Sequence, residues 1–466
     1  MHRSDHPTIS SDDSPAPSGP GGGLVTAASL PSARLNRRRL LSLAGLSAAA
    51  IPLAACGGSS SSSGQRTIKI GYVSPQTGSL NPFGVADSFV VGALSSDHFQ
   101  HGLSIGGRTY PVQIVVRDSE SDRNRAADAA STLIFKDKVD IVLVGSTPDT
   151  TNPVSDLCEA NGVPCISTIA PWQSWYFGRG GTAQQTFQWT YHFFWGIQDL
   201  INVYLSMWNE LETNHKVGVL WPNDADGNAF ADAASGFPPA LRAAGYEIVS
   251  PDPAQYSNGA KDFGAAINTF KSANVDIITG VPGSDDFKTF WTQANQAGFF
   301  PKVVTMAKAL LFPESLKLLG LSGNHLSTEV WWSPQHHYTS SLTNQSAAEL
   351  AAAYTRSTGD VWVQTLGFVH ALFEVAADAL TRVADPDDRA GIARAIAGTN
   401  KSTIVGPISF QAQPGVPRNV ATTTLAGGMW TLNGDAYNLE IVSNPTRNKS
   451  IPTSGEGLKP YQPAGT

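Results

Sequence analysis

The chain has 466 residues, of which 41% are hydrophobic, 15% charged and 9% aromatic, so it can bury a large core and is too long for one ordinary domain. Its 31 Lys and Arg against 38 Asp and Glu give a formal net charge of -7, which argues against nucleic acid as a partner because a polyanion requires a basic surface. The apolar run at 40–55 is interrupted by Ser, Gly and Pro and is shorter than the ~20 residues of a membrane-spanning helix, which excludes a multi-pass membrane protein.

The first part of the chain is predicted to be an export signal behind a disordered extension. Residues 1–36 are rich in Ser, Pro and Gly and cannot bury enough apolar surface to fold. Residues 37–56 then place a basic cluster before an apolar stretch that ends in small residues, which is the layout of a secretion signal. The adjacent arginines resemble the twin-arginine export motif, and the general secretory route remains the alternative.

The end of this signal resembles the lipobox of bacterial lipoproteins. The segment reads Leu53-Ala54-Ala55-Cys56 and is followed by a Gly/Ser-rich stretch, residues 57–66, that is expected to behave as a flexible tether. The resemblance implies cleavage before Cys56 and attachment of a lipid to its thiol. We therefore expect an exported protein that is anchored to the outer face of the cytoplasmic membrane.

From Thr67 onward, short β-branched runs alternate with stretches of helical period, which is typical of βαβ units with parallel sheets. The first predicted series has strands at 67–73, 111–117, 139–144 and 163–167, with helices at 87–100, 122–136 and 153–160. The second has helices at 193–210, 229–243, 261–273 and 286–297, with strands at 216–220, 246–249, 275–279 and 302–305. Two series of this kind predict two α/β lobes.

The later elements are too few for a third lobe and are assigned to the first two. They are strands at 327–332 and 403–410 and helices at 347–356 and 364–382.

Five segments of the chain, 68–78, 140–153, 162–167, 287–298 and 406–410, share their residue patterns with one known family. They resemble the leucine-binding-protein type of periplasmic binding proteins. The resemblance implies an α/β fold of type I, in which a three-segment hinge joins two doubly wound, Rossmann-like lobes. It also implies that a solute binds between the lobes and is delivered to an ABC permease.

This resemblance predicts a division of the chain into six segments. They are a disordered extension (1–36), a lipoprotein signal (37–56), a tether (57–66), lobe 1 (67–190 with about 334–410), lobe 2 (about 191–333 with 411–445) and a C-terminal tail (446–466).

Ligands of open α/β sheets bind beyond the carboxyl ends of the strands, where loops present backbone amides and side-chain hydroxyls. That rule selects a set of loop residues as candidate ligand contacts. The predicted ligand-binding residues are Ser146, Thr147, Thr150, Ala170, Trp172, Trp221, Asp226, Ser284 and Lys308. The hydroxyls near 146–151 have an alternative role as caps of the following helix, and the tryptophans have one as core residues.

One position departs from the family pattern and bears on the ligand's charge. Amino-acid-binding members carry an acid just after the strand that corresponds to 302–305, whereas this chain has Met306-Ala307-Lys308-Ala309. Lys308 would attract a carboxylate and repel an ammonium group. Asp224 or Asp226 on one loop, or Asp285 or Asp286 on another, are the candidates for the missing charge.

The remaining chemistry-bearing residues form no recognisable catalytic or metal-binding pattern. Cys158 and Cys165 could pair as a disulfide in an oxidising compartment or remain two buried thiols. No zinc-ligand spacing and no hydrolase, phosphate-loop or metalloprotease motif occurs, so we expect no metal, no cofactor and no catalysis.

The sequence thus predicts the extracytoplasmic solute-binding component of an ABC importer for amino acids or related small polar solutes. Its partners would be the permease and ATPase subunits and, through the lipid, the membrane. An aromatic or other carboxylate and an amide or urea-like solute are alternative ligands. A ligand-sensing receptor domain is the alternative of a different class.

Overall fold

The computed structural model describes residues 66–182 and 186–463. The predicted extension, signal and Cys56 lie outside these residues. Within the described ranges, no helix combines the length and apolar character needed to cross a bilayer.

The described residues form eighteen strands and thirteen α-helices. The strands are β1 (Ile68–Ser74), β2 (Leu103–Ile105), β3 (Arg108–Tyr110), β4 (Val112–Asp118), β5 (Ile141–Gly145), β6 (Cys165–Thr168), β7 (Thr190–Phe193), β8 (Lys216–Pro222), β9 (Glu247–Val249), β10 (Gln255–Tyr256), β11 (Ile277–Gly280), β12 (Val303–Met306), β13 (Ser327–Val330), β14 (Asn400–Thr403), β15 (Gly406–Ser409), β16 (Val420–Ala421), β17 (Ala426–Asn433) and β18 (Ala436–Ser443). The helices are α1 (Asp87–Ala93), α2 (Arg123–Ser131), α3 (Pro148–Ala160), α4 (Trp172–Tyr176), α5 (Ile197–Trp208), α6 (Ala225–Ala231), α7 (Phe237–Ala243), α8 (Gly264–Ser272), α9 (Ser284–Gln296), α10 (Pro313–Lys317), α11 (Ala347–Thr358), α12 (Thr365–Thr381) and α13 (Arg389–Ala397).

The first large sheet has six parallel strands in the order β16-β7-β6-β5-β1-β4. Its central strand β5 is an uninterrupted apolar run in which every residue is buried. Such a run is expected where helices cover both faces of a parallel sheet. Helix α12, buried along nearly its whole length, covers part of this sheet.

The second large sheet has eight strands in the order β10-β8-β11-β12-β13-β17-β18, with β9 also paired to β8. The strands from β8 to β13 run parallel, whereas β17 and β18 add an antiparallel hairpin at one edge. The two sheets confirm the predicted α/β architecture of two doubly wound lobes.

The chain passes between the two sheets three times. It leaves the first sheet after β7, returns to the first lobe after β13, and leaves again between β16 and β17. These passes cover 194–196, the stretch that begins at Trp331, and 422–425. Three crossings confirm the predicted three-segment hinge.

The strand pairing differs from the predicted lobe limits at two places. Thr190–Phe193 and Val420–Ala421 both pair within the first sheet, whereas the sequence predicts about 191–333 and 411–445 in lobe 2. The sequence hides these strands because β16 has two residues and β7 leads directly into an aromatic stretch that has the spacing of a helix.

Several predicted elements have different bounds. Helix α3 begins at Pro148 rather than Pro153, because either proline suits a first helical turn and the earlier one is used. The predicted helix 229–243 is two helices, α6 and α7, divided at Gly236. The predicted strand 403–410 is the hairpin β14–β15.

Candidate functional site

A pocket lies between the two lobes at the carboxyl ends of the strands. Clefts of this kind, between lobes and beyond strand ends, are where small molecules most often bind to α/β proteins. Phe83 of the first lobe and Phe312 of the second meet across the cleft with ring centroids 4.9 Å apart. The pocket is lined by Phe83, Thr147, Pro148, Ile169, Pro171, Phe194, Trp195, Asp226, Phe230, Val281, Ala307, Lys308, Leu311, Glu329 and Trp331.

Aromatic residues of the hinge form one wall of this pocket. Phe194 packs against Trp195 and Trp331 with ring centroids 4.7 and 5.1 Å away, and against Phe368 of α12 at 5.0 Å. The buried side-chain amide of Gln364 fixes the second crossing, because it accepts from the backbone N–H of Trp331 at 2.8 Å and donates to the backbone carbonyl of Glu329 at 3.1 Å. The aromatic wall is therefore supported by packing against α12 and by the hydrogen bonds of Gln364.

Three lining residues have buried polar atoms with no hydrogen-bond partner among the described residues: Thr147 Oγ1, Trp195 Nε1 and Trp331 Nε1. Thr147 is the N-cap of α3, yet its hydroxyl makes no capping bond. A buried donor without an acceptor costs about 1–3 kcal/mol, so such groups indicate a partner that arrives from outside the chain. In this pocket that partner would be an acceptor oxygen of a solute.

Two residues that face the pocket have strained backbones. Ile169 follows β6 with φ of 61° and Lys308 follows β12 with φ of 60°. Branched or long side chains rarely adopt this left-handed region, and such strain is found most often at functional sites. Each residue stands just beyond a strand of its own lobe, so the two strained turns meet at the pocket.

Lys308 is engaged in a buried ion pair. Its Nζ lies 2.8 Å from Asp226 Oδ2 and 3.4 Å from Asp224 Oδ2, and only 11% of its side chain is exposed. Burial opposes the charge on Lys308, but the carboxylates of Asp226 and Asp224 outweigh it and raise the pKa of the ammonium group. Burial raises the pKa of Asp226 to about 6, although Lys308 opposes this shift.

Glu329 is a second buried carboxyl group in the pocket. Tyr204 Oη donates to its Oε2 at 2.7 Å and Thr328 Oγ1 at 3.0 Å. Burial raises the pKa of Glu329 to about 7, its hydrogen bonds from Tyr204, Thr328 and its own backbone N–H oppose that shift, and the charge of Asp226 adds to it.

Of the predicted ligand-binding residues, Thr147, Asp226 and Lys308 line the pocket. Ser146 is buried beside them, and its Oγ has no partner among the described residues, but it does not line the pocket. The hydroxyl of Thr150 is turned toward the Thr147 carbonyl, 3.5 Å away, within the first turn of α3.

The other four predicted residues lie outside the lining. The carbonyl of Ala170 contacts His192 Nε2 at 2.8 Å, and Trp172 belongs to a small core cluster with Trp175 and Tyr176. Trp221 is 4% exposed and packs in the main core. Ser284 Oγ accepts from Ser315 Oγ at 2.9 Å at the start of α9.

Sequence reasoning missed the hinge residues that line the pocket. The apolar spacing predicts a helix at Trp195 and a strand at Glu329 and Trp331, and it gives no sign that the chain changes lobes at these residues. The one available signal was the acid Glu329 within a predicted buried strand, since an acid is rarely buried without a specific partner.

The two cysteines are free thiols in this structure, both buried in the first lobe. Burial raises the pKa of the Cys158 thiol, and the neighbouring Cys165 adds to the shift. The disulfide alternative is therefore not the arrangement seen here. No group of His, Cys, Asp and Glu able to hold a metal ion occurs in the described ranges.

A family model described as "Periplasmic binding protein" matches residues 67–426. A leucine-binding protein from Thermotoga maritima has 19% sequence identity and a TM-score of 0.66, with 82% of this chain and 100% of that chain covered.

Two further structures were solved with ligands. The branched-chain amino acid transporter substrate-binding protein from Streptococcus pneumoniae, bound to isoleucine, shares 17% identity with a TM-score of 0.61, over 81% of this chain and 100% of that one. An ABC transporter solute-binding protein from Rhodopseudomonas palustris, bound to 3,4-dihydroxybenzoic acid, shares 18% identity with a TM-score of 0.62. The match covers 84% of this chain and 99% of that chain. At these identities the likeness shows a common fold.

Proposed function

This chain belongs to the periplasmic binding protein family, and from that premise we propose that it is the extracytoplasmic solute-binding component of an ABC importer. Its solutes are amino acids or related small polar molecules. The protein binds, closes and releases without a catalytic step, and its partners are the permease and ATPase subunits.

The observation that carries this proposal is the composition of the pocket wall. Thr147 and Ile169 come from the first lobe, Asp226 and Lys308 from the second, and Trp331 from the hinge. A solute in this position contacts both lobes at once, so it binds the closed form more tightly than the open one. Differential affinity of this kind shifts the population toward closure. The permease then distinguishes the loaded protein from the empty one by its shape.

The chemistry of the pocket residues supports a solute with an apolar body. Phe83, Phe194 and Phe230 supply flat apolar surface, whereas Thr147 and Trp331 offer buried donors. Apolar walls with a few oriented polar groups are the usual composition of a specific solute site. Structures of the same fold hold isoleucine, leucine and aromatic acids.

We further propose lobe limits that follow the strand pairing. Lobe 1 comprises residues 67–193 with about 334–421, and lobe 2 comprises 197–330 with 426–443. The remaining segments would be the hinge and the C-terminal tail.

A panel of solutes tests the proposal. We expect at least one class among amino acids, aromatic acids and amides to stabilise the protein, by about 2.7 kcal/mol at 100 times its dissociation constant, as measured by thermal shift. Thr147→Val removes a donor from the pocket and should weaken binding of that solute by about 0.5–1.5 kcal/mol.

Thr151→Val is the matched control, because Thr151 is also buried, also has a hydroxyl without a partner among the described residues, and does not line the pocket. It should leave the affinity unchanged. Failure of every solute in the panel to shift the melting temperature would argue against a solute-binding role.

The export signal and lipid anchor are part of the proposal and rest on the sequence alone. If Cys56 carries the lipid, Cys56→Ser removes the thiol to which the lipid is attached and should release the protein from membranes. Fractionation of cells, with a salt wash of the membranes, measures this. Cys158→Ser is the control and should stay with the membranes; a Cys56→Ser protein that also stays there would disprove the anchor.

A further inference from the structure

The charges around the pocket are unbalanced toward the negative. Asp149, Asp224, Asp226 and Glu329 act on one another or on Lys308. Lys308 is the one cation that lines the pocket in the described part of the chain, and it already pairs with two of these carboxylates. An anionic solute would therefore meet repulsion without a free cation to compensate.

The helix N-termini that border the pocket also disfavour an anion. Helix α3 begins with Pro148, which has no N–H to donate, and carries Asp149 in its first turn. Helix α6 has Asp226 in its first turn, and Asp226 lines the pocket. The positive ends of these helices are thus offset by carboxylates of the chain itself.

Glu329 is a buried acid of the pocket that pairs with no cation among the described residues. Its carboxyl group accepts hydrogen bonds from Tyr204 and Thr328, both at Oε2, and from its own backbone N–H. Glu329 is 1% exposed and lines the pocket. Asp226 lines the same pocket and its charge adds to the raised pKa of Glu329, so a cation beside Glu329 would relieve this repulsion.

The other walls define the rest of the solute. Five aromatic residues line the pocket, and aromatic faces attract ammonium groups as well as apolar bodies. The N–H groups of Trp195 and Trp331 can only donate, so they require an acceptor oxygen. In a pocket of negative charge, an uncharged oxygen meets that need without added repulsion.

We propose that the pocket selects an organic amine: a solute with an ammonium group held by Glu329, an apolar or aromatic body, and an uncharged acceptor oxygen facing the indole N–H groups. This inference rests on the proposed solute-binding function and narrows it. Amino alcohols and amino-acid amides are solutes of this class, and monocarboxylates without an amine are excluded from it.

Four probes of matched shape test the inference: L-phenylalaninol, L-phenylalanine, 3-phenylpropan-1-ol and 3-phenylpropionate. With the full-length protein in titration calorimetry, L-phenylalaninol should bind at least tenfold more tightly than L-phenylalanine, and 3-phenylpropionate should bind weakest. Tighter binding of L-phenylalanine or 3-phenylpropionate, or no binding of L-phenylalaninol, would overturn the inference.

Glu329→Gln keeps the shape of the side chain and removes its charge. It should weaken L-phenylalaninol binding at least tenfold and leave 3-phenylpropan-1-ol unchanged. Glu247→Gln, at an exposed position of β9, is the control and should alter neither. Equal L-phenylalaninol affinity in Glu329→Gln and wild type would refute the role of Glu329.

The wild type provides a measurement that does not depend on the variant folding. The pKa of Glu329 is raised to about 7 and that of Asp226 to about 6, whereas Lys308 and the amine of the probe stay protonated below these values. Affinity for L-phenylalaninol should therefore fall as the pH is lowered from 8 to 5.5, and a flat profile would contradict the inference. A negative result with Glu329→Gln or a flat pH profile would overturn the choice of an amine. The proposed solute-binding function would still stand if another solute in the wider panel stabilised the protein.

Discussion

Lys308→Met is expected to lower the free energy of unfolding by about 3–5 kcal/mol at pH 7, because it leaves the carboxylates of Asp226 and Asp224 desolvated without their cation. Both acids are nearly buried, with 6% and 10% of their side chains exposed, so solvent cannot replace the ammonium group. Urea unfolding of the two proteins at pH 7 measures the difference.

The loss should be smaller in acid. Without Lys308, the folded-state pKa of Asp226 lies further above its unfolded value, and a group with a raised pKa favours the folded state at low pH and loses that contribution as the pH rises through the folded pKa. The stability of Lys308→Met should therefore approach that of the wild type as the pH is lowered from 7 toward 4.5.

Lys302→Met is the matched control, since Lys302 precedes the same strand, β12, and its side chain is 52% exposed although it pairs with Asp276 at 3.1 Å. An exposed pair of this kind contributes about 0–1 kcal/mol. Equal losses in the two variants, or a loss at Lys308 that does not change with pH, would contradict a buried ion pair.

Trp221→Ala is expected to cost about 3–5 kcal/mol in the free energy of unfolding and to change solute affinity less than twofold. Trp221 lies at the end of β8, is 4% exposed and belongs to the main core rather than to the pocket lining. Removing a buried indole creates a cavity that the surrounding side chains fill only in part.

Trp362→Ala is the comparison variant, because Trp362 is only partly buried. Its ring packs against that of Trp332, with the ring centroids 6.0 Å apart. It should cost less stability than Trp221→Ala. A large loss of affinity with little loss of stability in Trp221→Ala would instead return this residue to the solute site, where the sequence had placed it.

The alternation of apolar strands and helices was readable from the sequence because burial on both faces of a parallel sheet requires continuous apolar runs such as β5. The hairpin β17–β18 was missed. Its first strand contains Gly427 and Gly428, and glycines weaken the sequence pattern of a strand. The structure explains both glycines by close packing. A Cβ at Gly427 would lie 2.5 Å from the Met207 side chain, and a Cβ at Gly428 would lie 2.4 Å from the Val330 side chain.

Pocket residues were predictable from the sequence only where they come shortly after a strand of the same lobe. Thr147, Asp226 and Lys308 satisfy that rule and line the pocket. The same rule also selected Trp221, because strand ends alone do not reveal which way a side chain points. Glu329 and Trp331 escaped it, since their place in the pocket depends on the hinge crossing, a contact between segments far apart in the chain.

The proposed function requires that a solute bind between the lobes and contact both. A crystal structure with the solute that gives the largest rise in melting temperature is the test. We expect density for that solute in the pocket, in contact with Thr147 of the first lobe, Asp226 or Lys308 of the second, and Glu329 and Trp331 beside the hinge. Density on the outer surface, or density in contact with one lobe alone, would contradict it.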